Sequence, residues 1–216
     1  MPFNPITTEL TTAATDLLLA LAALGCAILL WRRRHRDAWK ATLWTAIFGA
    51  LVIGSTLAAV AHGLVIPARL QTGIWVAIYL ALGLVVAGFA VAAVTDLAGA
   101  ETARAILKLM ALLVLLFLLA VMLMGGDFAP FILFEALCLL FALAVYVRLG
   151  WAGGRRDARW LALGLVLTLL AAALQALRLG AFVCVWPFDH NGAFHLLQMV
   201  ALLPIAVGLR TGLRGA

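Results

Sequence analysis

The chain has 216 residues, 67% of them hydrophobic and 11% charged, with a net charge of +6. Water-soluble domains run nearer half apolar and a quarter charged, so this composition excludes a soluble enzyme or binding module and makes lipid the solvent. The basic residues sit in short loops between apolar runs, which reads as membrane topology and contact with lipid head groups rather than nucleic-acid binding.

In lipid each backbone group must be satisfied within the protein, which leaves helices or a closed barrel. Barrel strands alternate over about ten residues. The apolar runs here are continuous and about twice as long, so the expected class is all-α. Seven segments, roughly 12–31, 41–64, 72–95, 105–124, 129–149, 159–179 and 191–209, reach or approach the length of a membrane-crossing helix. The first lacks the basic start of a signal peptide and ends in Arg32, Arg33 and Arg34, so it reads as a retained span. The fourth is the most uniformly apolar. Pairs of small residues, Gly54 with Ala58 and Gly83 with Gly88, would let helices approach closely. Pro204 would kink the seventh. Short connections predict antiparallel neighbours in one bundle, a single transmembrane domain over 1–216.

Thirteen of the fifteen Lys and Arg residues fall on one side of this scheme, leaving Arg69 and Arg178 on the other. The rule that basic loops stay in the cytoplasm then places the N-terminus outside and the C-terminus inside. All the tryptophans fall near predicted span ends, where an amphipathic ring fits the head-group zone. The short loops suit a bacterial inner membrane. Cys26 and Cys138 lie in apolar runs and Cys184 stands alone in an outer loop, so no disulfide framework or cysteine metal motif is expected.

Ionisable residues inside a membrane are costly and point to function. Here they gather toward the outer side: Asp16 in the first span, Ser55 and His62 in the second, Glu135 in the fifth, Gln175 and Arg178 at the end of the sixth, and Asp189, His190, Asn191, His195 and Gln198 opening the seventh. The inner halves carry almost no such groups, which predicts a pocket opening outward. Ser55 and His62 are two helical turns apart on one face, and Asn191, His195 and Gln198 share another. His190 can join His195 only if it sits at the helix start, where Asp189 or Asn191 would cap. Glu135 needs a partner from another helix, and Arg178 is the candidate.

The seven spans, the span-2 segment Gly54-Ser55-Thr56-Leu57-Ala58-Ala59-Val60-Ala61-His62 and the span-7 segment Asp189-His190-Asn191-Gly192-Ala193-Phe194-His195 together resemble the CREST superfamily of membrane hydrolases, which includes alkaline ceramidases and the adiponectin-receptor group. The resemblance implies a zinc ion held by His62, His190 and His195, with Ser55 near it and Asp16, Glu135 or Asp189 as the carboxylate that takes a proton from zinc-bound water. It also implies a lipid amide or ester as substrate. The sequence departs from the family pattern at Ala58, where the family has its serine, and at Gln71, in the region of the family's aspartate. The spacing in span 7 is HxxxxH or NxxxH in place of HxxxH. Two other classes fit the same residues: a b-type haem protein with His62 and His195 as axial ligands, and a transporter, receptor or scaffold in which the polar residues hold helices together.

Overall fold

The computed structural model describes residues 1–179, 181–183 and 186–213. Cys184 and the tail residue Arg214 lie outside them. The long apolar runs form helices because only intrahelical hydrogen bonds satisfy their backbone without water. These are α1 (Thr7–Trp31), α2 (Ala38–Gly63), α3 (Ala68–Ala105), α4 (Leu107–Leu123), α5 (Ala129–Val147), α6 (Arg156–Ala176) and α7 (His190–Gly212). A π-helical turn, Arg148–Ala152, prolongs α5. Between α6 and α7, β1 (Phe182–Val183) pairs antiparallel with β2 (Pro187–Phe188). Six of the helices are long and apolar enough to cross a membrane; α4, at 17 residues, is shorter.

The six long helices close a ring in which α1 touches α2, α2 touches α3, α3 touches α5, α5 touches α6, α6 touches α7 and α7 returns to α1; α4 packs against α3 and α5. Small residues set the close approaches. A Cβ on Gly88 would come within 2.5 Å of Ile47, and one on Gly83 within 2.9 Å of Phe117. Gly54 lies similarly against Ala81. α4 buries only a narrow stripe, Val114, Phe117 and Val121, in keeping with its uniform apolarity. α7 runs unbroken through Pro204.

Hydrogen bonds tie the helix ends into two levels. At one end, Lys40 of α2, Asp96 of α3, Tyr146 of α5 and Arg155 before α6 meet. Lys40 Nζ lies 2.7 Å and Arg155 Nη2 3.0 Å from Asp96 Oδ1, and the Tyr146 hydroxyl donates to Asp96 Oδ2 at 3.1 Å. Arg155 also bridges to Asp157 at 2.7 Å. These groups correct the expectation that one set of helix ends lacks polar residues: the apolar scan of the third segment stops at 95, while the helix runs on through Asp96 because Lys40 and Arg155 neutralise it. At the other end, Thr12 of α1 donates to Asp189 before α7 at 2.9 Å, Gln175 of α6 to Asn191 of α7 at 2.9 Å, and Tyr79 of α3 to the Gly126 carbonyl after α4 at 3.0 Å. The N-terminal strand-like segment closes this end, with the Asn4 N–H on the Gly63 carbonyl at 2.9 Å and Val65 N–H on Pro2 at 3.0 Å.

Candidate functional site

The ring encloses a cavity of about 880 Å³ to which every helix contributes. Its walls divide by chemistry. The deep part is apolar and closed, with Phe48 1%, Phe89 5% and Leu202 3% exposed. Toward the Thr12–Asp189 end the lining turns polar, with Asp16, Ser55, His62, Glu135, His195 and Gln198. Exposed Thr72, Asp127 and Arg178 stand at its edge, so the cavity opens at this end. From Ile47 to His62 on α2 the lining runs along sixteen residues, about 22 Å of helix.

Asp16 and His195 form the centre of the polar part. Their α1 and α7 backbones are neighbours, and Asp16 Oδ1 lies 3.2 Å from His195 Nε2. Thr15 Oγ1 lies 3.0 Å from His195 Nδ1 and 2.9 Å from the Thr12 carbonyl. A hydroxyl has one proton to give. If Thr15 gives it to Thr12, it accepts from Nδ1–H, and Nε2 faces the Asp16 carboxyl without the ring proton. If Thr15 gives it to Nδ1, then Nε2–H donates to the Asp16 carboxylate. Either arrangement fixes the ring. Asp16 Oδ2 and Gln198 Oε1 are buried with no hydrogen-bond partner among the described residues.

His62 belongs to a separate pair. Its Nδ1 lies 2.6 Å from Glu9 Oε2, and Trp75 packs edge-on at 5.5 Å between ring centroids. Glu9 was missed in the sequence reading, although Glu9, Thr12 and Asp16 follow an i, i+3, i+7 pattern that puts them on one face of α1. Asp189 caps α7 as its sequence suggested, accepting from Gly192 N–H at 2.8 Å. Burial pushes the Asp189 carboxyl up, but the Gly192 N–H, the Thr12 hydroxyl and the charge of His190 outweigh it and hold it below the usual carboxylate range. His190 is the first residue of α7 and half-buried at the cavity wall.

Ser55 is buried at the wall. Glu135 is 8% exposed and lines the cavity, but it forms no ion pair with Arg178, whose side chain is exposed at the rim. The pairing expected from sequence is not made, since Arg178 lies past the end of α6 in a left-handed turn with φ 53°. Among the described residues no three His, Cys, Asp or Glu side chains form a group able to hold a metal ion. The reason is local: His195 has both ring nitrogens engaged by Asp16 and Thr15, and His62 turns Nδ1 to Glu9. The donors therefore do not fit a three-histidine zinc centre, and the engaged nitrogens of His195 do not fit axial haem ligation.

Comparison with curated proteins and with solved structures finds no match. A family of unknown function, DUF6962, matches residues 11–214, a stretch that holds all seven helices apart from the first turn of α1. The chain belongs to that family.

Proposed function

We propose that this is an integral membrane protein that holds an amphiphile in its cavity, with the polar head among the Asp16–His195 groups and the apolar tail in the deep part. The observation that carries this reading is the division of one cavity into a polar mouth and an apolar, closed interior. A ligand with the same division would satisfy both regions, whereas a wholly polar solute would leave the interior dry and a hydrocarbon would strand the buried polar atoms. In this reading the chain crosses the bilayer seven times. Lys108 opens α4 beside the basic end, and Gly126 follows α4 at the Tyr79 end, so α4 joins opposite levels. Its seventeen residues span about 26 Å, close to the hydrocarbon thickness. The level with Lys40, Arg155 and Arg210 is cytoplasmic by the positive-inside rule, so the N-terminus and the cavity mouth face outward.

Native mass spectrometry of the purified protein tests the reading. Wild type should retain an amphiphile of uniform mass. Val86→Trp, which fills the deep wall where Val86 is 4% exposed, should lose most of it while remaining folded. Equal retention by both proteins would refute the assignment of the tail. Hydrolysis of a lipid ester or amide is a second reading of the same cavity, favoured by the Asp16–His195 pair, which holds a proton-accepting group at the polar part of the wall.

A further inference from the structure

We propose that the head group received here is a protonated amine, so that the occupant is a long-chain amphiphile carrying a primary ammonium; this rests on the amphiphile reading of the cavity. The first observation is the imbalance of hydrogen-bonding groups. Three buried side-chain atoms of the cavity wall have no hydrogen-bond partner among the described residues: the acceptors Asp16 Oδ2 and Gln198 Oε1, and the Thr168 hydroxyl, which can accept as well as donate. The Glu135 carboxyl, on a residue 8% exposed, lines the same cavity with no hydrogen bond or ion pair among the described residues. Buried acceptors without donors are costly and uncommon in finished structures. A primary ammonium brings three donors and no acceptor, the complement of this set.

Charge points the same way. Asp16, Glu135 and Asp127 line the cavity against one arginine, Arg178, which stands exposed at the rim. A carboxylate or phosphate head would bring further acceptors to a wall that already carries the Asp16 and Glu135 carboxyls. An alcohol head would meet no repulsion but would bring one donor for several acceptors. Trp75, Tyr79 and Phe194 also line the cavity, and aromatic rings attract an alkylammonium when it is drawn out of water.

The test uses the full chain in phosphatidylcholine nanodiscs at neutral pH, with empty nanodiscs subtracted and three probes of equal length: dodecylamine, dodecanol and dodecanoate. Isothermal titration should show dodecylamine binding about tenfold or more tighter than dodecanol, the size of one charge-assisted hydrogen bond, and dodecanoate weakest. Asp16→Asn and Glu135→Gln should each shrink the amine's advantage over dodecanol, and an unchanged far-UV circular dichroism spectrum reports that each variant is folded. The wild-type ranking alone decides the proposal. Dodecanol equal to dodecylamine, or dodecanoate the tightest, would overturn the ammonium head and leave the amphiphile cavity standing. Binding of none of the three would overturn both.

Discussion

Asp96→Ala should be among the most destabilising single changes in the chain, although the residue is far from the cavity mouth. Asp96 is held by Lys40 and Arg155 through one oxygen and by Tyr146 through the other. Its side chain is 6% exposed, and that of Lys40 is 8% exposed. Removing the carboxylate leaves the Lys40 ammonium buried without its partner, and breaking a buried pair from one side costs about 3–5 kcal/mol. At about 2–4 °C per kcal/mol for a chain of this size, the unfolding midpoint should fall by roughly 6–20 °C. Lys40→Met should cost less, because Asp96 keeps Arg155 and Tyr146. Combining Lys40→Met with Asp96→Ala should cost less than the sum of the two, with a coupling of about 1–3 kcal/mol. Thermal unfolding of the detergent-purified variants, followed by circular dichroism, gives all the corners of the cycle. A fall below about 1 kcal/mol for Asp96→Ala, or strictly additive losses, would refute the claim that this cluster clamps the helices.

Gly88→Ala should destabilise by about 1–3 kcal/mol, since the new methyl would press on Ile47 across the α2–α3 contact, and combined with Ile47→Ala, which removes the nearest atom, the losses should be less than additive; unfolding midpoints of the single and double variants check this. Asp189→Asn should cost stability only at neutral pH and little in acid. The folded Asp189 carboxyl lies below its ordinary value of 3.8, so its contribution is present above that pH and disappears as the pH falls through the lower folded value; unfolding curves at pH 3 and pH 7 should converge for variant and wild type at the acid end. A reporter active only outside the cytoplasm should work when inserted beside Asp127 and fail when fused after Leu213, and the opposite pattern would reverse the orientation.

The helices were legible in the sequence because apolar run length is a strong signal in a chain this hydrophobic. Boundaries were less so. The third segment reads as ending at 95 on hydropathy, yet α3 continues to Ala105 with its backbone turning at Gly99, φ 88°. Faces were legible too. His195 and Gln198 share a buried face and line the cavity, as do Ser55 and His62. What spacing along one helix cannot state is which neighbour that face meets. Nothing in the α7 sequence tells whether His195 meets His62 or Asp16. The choice is made by α1, which sits between α2 and α7 in the ring and carries Glu9, Thr15 and Asp16. His62 and His195, two of the three histidines expected to share an ion, are thereby divided between two carboxylates of one helix.

The two ends of the bundle treat polar groups in opposite ways, and this is the physical basis of the functional reading. At the basic end the Asp96 carboxylate has each oxygen engaged, and Arg155 spends several of its donors on Asp96 and Asp157. A network satisfied in this way gains rigidity and offers nothing to a ligand. At the other end the Thr12–Asp189, Gln175–Asn191 and Thr15–His195 bonds satisfy some groups, while Asp16 Oδ2, Gln198 Oε1 and Thr168 Oγ1 line the cavity without partners among the described residues. If those groups served only to hold helices together, they would be expected to bond to one another, because the cost of leaving them single falls directly on the fold. In the amphiphile reading, an occupant supplies the partners that these groups lack within the chain.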